Sequence, residues 1–257
     1  MSLVHAEYLK VGRRKLFPIM LGVLAFVMGL IAVLLYVLLP ALPEVAGGDA
    51  PLPQRPEAFI FGAQQVAGQA WWFAVILATA VLGGEVASTV WATSLTRDSR
   101  KLNHISARFL VFTVASWIAF LVGTAVWALI IWVAAEGSGS PDLSEWVGLL
   151  WKFLVIAGAW TSIGLGAVAM TRSIPVAMGI ALGISFVDSI VAPFVDFYEK
   201  ISLTAASNGI FDVAGDGPFA GFIPGGDMSL THALSVMIGW TLVGLLLTVW
   251  GLQRRDA

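Results

Sequence analysis

Six stretches of this chain are apolar for about the length a helix needs to cross a bilayer. They run from Leu16 to Leu39, Val66 to about Val90, Ile105 to Ala135, Trp146 to Met170, Ile174 to Ala192 and Leu230 to Leu252. A spanning helix takes about 20 apolar residues, within a range of roughly 17–25. The second and third stretches are long, which implies tilt or extension beyond the hydrocarbon. Period-2 alternation is missing, which argues against a transmembrane β-barrel. In lipid only helices or closed barrels satisfy their own backbone hydrogen bonds. The expected fold class is therefore all-α: a polytopic membrane protein whose six-helix bundle forms one transmembrane domain over residues 1–257.

Composition supports this and excludes alternatives. Residues of the AVILMFWYC set make up 58% of the chain and charged residues 12%. A soluble domain averages about 45–50% and about 25%. A cytosolic globular enzyme, a disordered chain and a disulfide scaffold are all excluded. With no cysteine, thiolate metal and iron–sulfur sites are excluded too.

Lys10, Arg13, Arg14 and Lys15 before the first stretch imitate the start of a signal peptide. The apolar run that follows is too long for one, and no small-residue cleavage site follows it. We therefore expect a first membrane helix there. Those four residues, with Arg97, Arg100, Lys101, Arg108, Arg172, Arg254 and Arg255, put 11 of the 14 basic residues on one side of a six-span arrangement. Only Arg55, Lys152 and Lys200 fall on the other side, where acidic residues dominate. The positive-inside rule then places both termini and the loop between the second and third spans in the cytoplasm, in a bacterial plasma membrane. Trp71, Trp72, Trp132, Trp146 and Trp151 are expected near the outer span ends, Trp91 and Trp250 near the inner ends. Trp117, Trp160 and Trp240 read as packing aromatics.

Three pieces do not span. Residues 1–15 read as an amphipathic helix with Val4, Tyr8 and Val11 on one face and Glu7, Lys10 and Arg14 on another. Such a helix lies in the cytoplasmic interface, with basic residues toward anionic membrane lipid. Residues 40–65, rich in Pro and Gly, are expected as an external loop. Residues 193–228 carry Phe194, Phe197, Tyr198, Ile201 and Phe211 and are too apolar for a free loop. Short helices that dip into the outer leaflet or cap the bundle are expected there, before the last span at 229–252.

Little can carry chemistry. His5, His104 and His232 sit at or beyond span ends, so no pair can ligate a haem inside the bundle. No metalloprotease or Walker motif is present. Gly164-Leu165-Gly166 lies in a span without a preceding strand and reads as packing. Nothing calls for a cofactor or for nucleic acid, and the chain alone reads as no enzyme. Gly158, Ser162 and Gly166 form a small-residue stripe, and Gly179 and Gly183 a second. Either packs helices within the chain or forms a subunit interface. Asp188 lies deep in the fifth stretch, about 22 Å along its helix. It either lines a pathway or partner surface or reaches outer water. Glu85 follows Gly83-Gly84, a pair expected to loosen the helix. The acid either faces cytoplasmic water and the basic loop or pairs with a nearby arginine.

The run Gly84-Glu85-Val86-Ala87-Ser88-Thr89, followed by Thr93-Ser94-Leu95 and Arg100, resembles the permease subunits of ABC-2 type ABC transporters. In that family the second helix ends in a glutamate, then Gly-Thr, then a leucine-containing turn closed by an arginine. Ser88 stands here where the family usually has Gly, and the proline common before the arginine is missing. The resemblance extends to the organisation: an amphipathic N-terminal helix, six spans, both termini inside and an enlarged outer segment before the last span. It implies a homodimer or heterodimer of permeases bound to ATP-binding cassette ATPase subunits that bind and hydrolyse the ATP. It also implies a coupling helix over about Arg97 to Ile105, with Arg97, Asp98, Arg100, Lys101 and His104 toward the ATPase. Glu85 and Thr89 would act in coupling or at an inner gate. The family implies export, and the aromatic and aliphatic bundle suits a hydrophobic or amphipathic substrate. Two other readings remain. One is a non-catalytic subunit of a larger membrane complex. The other is an ion-coupled secondary transporter, for which Gly83-Gly84 and Pro175 offer the only candidate helix breaks.

Overall fold

The computed structural model of the protein describes residues 3–38, 41, 55–87, 101–134, 139–211 and 228–253. Among them the fold is all-helical, with no strand. Thr89, Arg97, Asp98 and Arg100 lie outside the described residues, as does most of the 40–54 segment.

Helix α1 spans Leu3–Arg13, and α2 spans Leu16–Val33 and ends in a π-turn over Leu34–Leu38. Then come α3 (Arg55–Ala87), α4 (Lys101–Ala134), α5 (Leu143–Thr171) and α6 (Ile174–Val191), the last closed by a 3-10 turn over Ala192–Phe194. The short helices α7 (Asp196–Glu199) and α8 (Leu203–Phe211) precede α9 (Leu230–Gln253). Six of these elements are long and apolar enough to cross a membrane: α2 through its π-turn, α3, α4, α5, α6 through its 3-10 turn, and α9.

Helix α3 corrects one expectation. It starts at Arg55, inside the segment expected to be an external loop. Phe59, Gly62, Ala63 and Val66 are all buried, at i, i+3, i+4 and i+7, so the helical core face already runs through this segment. Gly62 is the contact point: a Cβ there would lie 2.0 Å from Trp127 Nε1, and that indole donates to Ala58 O at 3.0 Å. At 33 residues, α3 reaches roughly 50 Å, beyond the roughly 30 Å of a hydrocarbon core. The earlier start also moves Trp71 and Trp72 from the expected helix end to its middle. Trp71 packs on Trp160 with ring centroids 5.0 Å apart.

Helix α5 is the central element. In its most apolar window 83% of residues are buried, against 17% for α6 and 22% for α2 and α9. It enters with the Glu145 carboxylate accepting from Asp142 N–H at 2.8 Å. It leaves through Arg172, whose φ of 57° is left-handed and whose N–H returns to Val168 O at 2.9 Å. Pro175 then opens α6 within its first turn. This tight turn sets α5 and α6 antiparallel.

The small-residue stripe on α5 packs within the chain. A Cβ on Gly244 would lie 2.5 Å from the Ser162 carbonyl carbon, and one on Gly166 would lie 2.8 Å from Gly244 O. One on Gly251 would lie 2.7 Å from the Ala169 backbone. Helices α5 and α9 therefore meet backbone to backbone, as small residues allow where no water is expelled to drive association. Gly179 and Gly183 on α6 differ: among the described residues nothing lies within 4 Å of either Cβ position. Several buried hydroxyls are satisfied by their own helices, Thr79 to Val75 O, Ser116 to Phe112 O and Thr248 to Gly244 O at 2.7–2.8 Å, whereas those of Thr113, Thr124 and Thr161 find no partner among the described residues.

Candidate functional site

One end of the bundle gathers the end of α3, the starts of α4 and α6, and the ends of α5 and α9. A Cβ on Gly83 would lie 2.4 Å from the Ile174 side chain, and Gly251 meets Ala169 there as well. Helix α3 runs unbroken through Gly83 and Gly84 to Ala87. The two glycines admit neighbours instead of loosening the helix. Gly83 makes room for Ile174, and Arg14 Nη1 comes to 3.7 Å from the Cβ position of Gly84.

Four charged side chains meet at this end. Glu85 accepts from Lys10 Nζ at 3.1 Å and from Arg108 Nη2. Glu7 accepts from Lys10 Nζ at 2.9 Å and from Arg108 Nε at 3.3 Å. Arg108, Glu7 and Glu85 are each at most 4% exposed, whereas the Lys10 side chain is 35% exposed. The cluster balances two acids with two bases and joins three elements: α1, the last turns of α3 and the second turn of α4. Sharing each of the two cations lets the two like carboxylates stay buried together. Glu7 Oε2 is also buried and has no hydrogen-bond partner among the described residues.

This arrangement resolves one alternative and corrects two expectations. Glu85 pairs with an arginine, and that arginine is Arg108. Arg108 is not in the loop between spans but inside α4, facing inward. On α1, Val4 is 40% and Tyr8 61% exposed, whereas Glu7 of the expected polar face is buried. The cause is electrostatic, because Glu7 and Lys10 find counter-charges on α3 and α4. Of the residues assigned to a coupling helix, Lys101 opens α4 and His104 lies in its first turns, buried at 4% exposure. Residues 101–105 are therefore continuous with α4 and not a separate helix.

The opposite end holds Asp188. It is buried, and both of its carboxylate oxygens are taken by the segment that follows α6. Tyr198 Oη donates to Oδ1 at 2.6 Å and Thr204 N–H to Oδ2 at 3.0 Å. Thr204 lies in the first turn of α8, where free backbone N–H groups favour an anion. Ser202 Oγ accepts from Ala205 N–H at 3.1 Å and completes the cap. Trp240 Nε1 donates to Ile201 O at 2.8 Å, and Gln64 Nε2 to Phe211 O at 3.1 Å. The expected short capping helices are thus present as α7 and α8, tied to α3, α6 and α9.

Burial, then the hydrogen bond to Asp188 and its charge, push the Tyr198 phenol up from 10.0 to about 12. A group with a raised folded-state pKa stabilises fully below its unfolded pKa and loses that stabilisation as pH climbs through the folded one. The outer segment should therefore loosen between pH 10 and about 12. Absorbance titration can read this directly, because the chain has only 3 Tyr. Tyr198→Phe should remove the Tyr198 step at about pH 12 and make residues 196–211 protease-sensitive at neutral pH. A Tyr198 step at the ordinary value would contradict the anchor.

No protein-family model matches the chain, and no curated protein does. Among the described residues no group of His, Cys, Asp and Glu could hold a metal ion.

Sequence reasoning found Glu85 as an acid at the edge of an apolar run but missed Glu7 and Arg108. The available signal for Arg108 was its position after Ile105 and Ala107, inside the apolar run, where a cation normally has a partner. For Glu7 it was the i, i+3 spacing to Lys10, which marks both as one face of α1.

Proposed function

We propose that this chain is the permease subunit of an ABC-2 type exporter in a bacterial plasma membrane, with both termini cytoplasmic. It would use ATP hydrolysed by a separate ATP-binding cassette subunit and would itself hold no nucleotide. The observation that carries the reading is the Glu7–Lys10–Glu85–Arg108 cluster. It locks α1, α3 and α4 together on either side of residues 88–100, the segment whose motif resembles the family. A force applied there would reach three elements as one body. ATP can drive transport only if the two permease states contact the ATPase differently, and a rigid charged corner supplies such a difference.

Two further features support it. The bias of basic residues supports a cytoplasmic position for this end. The glycines of α6 leave an open, close-approach face suited to a second permease, homologous or identical. The apolar bundle favours a hydrophobic or amphipathic substrate. A non-catalytic role in a larger membrane complex is the competing reading, because the bare apolar faces of α2, α6 and α9 would suit it equally. An ion-coupled carrier is less favoured, since Asp188 already spends both oxygens on the outer segment.

The test is purification from the native membrane in mild detergent. An ATP hydrolase should co-purify, and Arg100→Glu with Lys101→Glu should lower its coupled activity at least tenfold while leaving the permease folded. Purification of a folded chain with no hydrolase, or unchanged transport in the charge-reversed pair, would count for the competing reading.

A further inference from the structure

A groove of about 460 Å³ runs between α1 and α4, lined by Val4, Tyr8, Val11, Phe17, Leu110 and Val114 among others. We propose that it is a specific site for an anionic glycerophospholipid, with an acyl chain in the groove and the phosphate headgroup at the turn between α1 and α2. The proposal requires only that the chain lie in a bilayer and is independent of the transporter reading.

The groove has the direction and depth of a lipid chain. Its lining on α4 extends from Leu110 to Ile118. That stretch covers roughly 12 Å of helix at 1.5 Å per residue. One leaflet of hydrocarbon is about half of 30 Å deep, so the groove has a length that fits within a single leaflet. Tyr8 stands at its α1 edge, 61% exposed, where an amphipathic ring suits the headgroup level.

Charge selects the class of lipid. Gly12 and Phe17 both line the groove, and the turn between them carries Arg13, Arg14 and Lys15. Arg13 and Lys15 are exposed, whereas Arg14 points toward Gly84. Among the described residues no carboxylate lines the groove. Glu7 and Glu85 are buried and pair with Lys10 and Arg108. The mouth is thus a concave apolar slot beneath two exposed cations, complementary to a chain attached to a phosphodiester. Without an occupant, Val4, Tyr8, Leu110 and Val114 would form a contiguous exposed apolar strip beside polar side chains.

The experiment uses the purified protein in phosphatidylcholine nanodiscs doped with spin-labelled phosphatidylglycerol or spin-labelled phosphatidylcholine. The readout is the motionally restricted lipid fraction. Wild type should restrict phosphatidylglycerol well above phosphatidylcholine. Arg13→Ala and Lys15→Ala should each reduce that preference by roughly fivefold. Val114→Trp, which fills the groove from its 40% exposed edge, should release the restricted phosphatidylglycerol at unchanged thermal stability. Equal restriction of the two lipids in wild type would mean ordinary boundary lipid and overturn the proposal. So would a Val114→Trp variant that keeps its restricted lipid, or one that instead turns a dimer into monomers, which would put a second chain in the groove. Should Val114→Trp not fold, the two exposed cation variants alone decide the matter.

Discussion

Arg108→Gln should destabilise the folded protein by about 3–5 kcal/mol, the cost of breaking a buried ion pair by removing one partner. Glutamine keeps a hydrogen-bonding amide but is shorter and removes the charge. Among the described ion pairs, Glu7 and Glu85 would then keep only Lys10, which is itself one-third exposed. Unfolding in detergent by heat or by SDS titration measures the loss. The compensating change sharpens the result, because Glu85→Gln added to Arg108→Gln restores neutrality to the cluster. The double variant should recover part of the stability, and the double-mutant cycle isolates the pairwise coupling. Lys10→Gln should cost less than Arg108→Gln, because water already screens its ammonium. An Arg108→Gln variant within 1 kcal/mol of wild type would mean that the cluster does not hold α1 against α3 and α4.

The second large effect lies at the crossing of α5 and α9. Gly244→Val should cost at least the 1–3 kcal/mol typical of overpacking. The atoms that a Cβ meets, at 2.5 and 2.6 Å, are the Ser162 carbonyl carbon and oxygen, not the tip of a flexible side chain. Relief requires the two helices to separate along their length, which would also disturb Gly166 and Gly251. Gly179→Val is the matched control. It introduces the same β-branched residue into a helix, but nothing among the described residues lies within 4 Å of its Cβ position. It should leave monomer stability near wild type and, if α6 faces a second permease, weaken the dimer. Equal destabilisation by the two variants would show that propensity, not the close crossing, governs Gly244.

The spans were legible in the sequence because uninterrupted apolarity over a bilayer's width has one structural solution. Their ends were less so. The Pro- and Gly-rich residues before position 57 masked the helical spacing of Phe59, Gly62, Ala63 and Val66, so the start of α3 read as loop. Trp71 and Trp72 read as a boundary for the same reason, although Trp71 is seated against Trp160 in the core. Small-residue stripes are ambiguous in sequence, since close helix approach has the same signature within a chain as between chains. Only the placement of Gly244 opposite Ser162, and the empty space around Gly179, separates the two cases.

The site was half legible. An acid within an apolar run asks for a partner, which is why Glu85 stood out. Its partners could not be read off, because Glu7 and Arg108 are 101 residues apart and charge counting assigns both to a solvated surface. For Asp188 the sequence left two readings, a pathway or outer water. The structure gives a third, an anchor for α7 and α8, which depends on Tyr198 and Thr204 folding back over a distance no local pattern records.

The most direct measurement exploits the absence of cysteine. Ser99→Cys would be the only thiol in the chain, placed by sequence between α3 and α4 beside Arg97, Asp98 and Arg100. In intact cells it should resist a membrane-impermeant maleimide, react in inverted vesicles, and carry a photo-crosslinker that captures a nucleotide-hydrolysing subunit. Labelling from the cell exterior, or crosslinking that never captures such a subunit, would contradict an ATP-driven permease with its energy-receiving surface at this end.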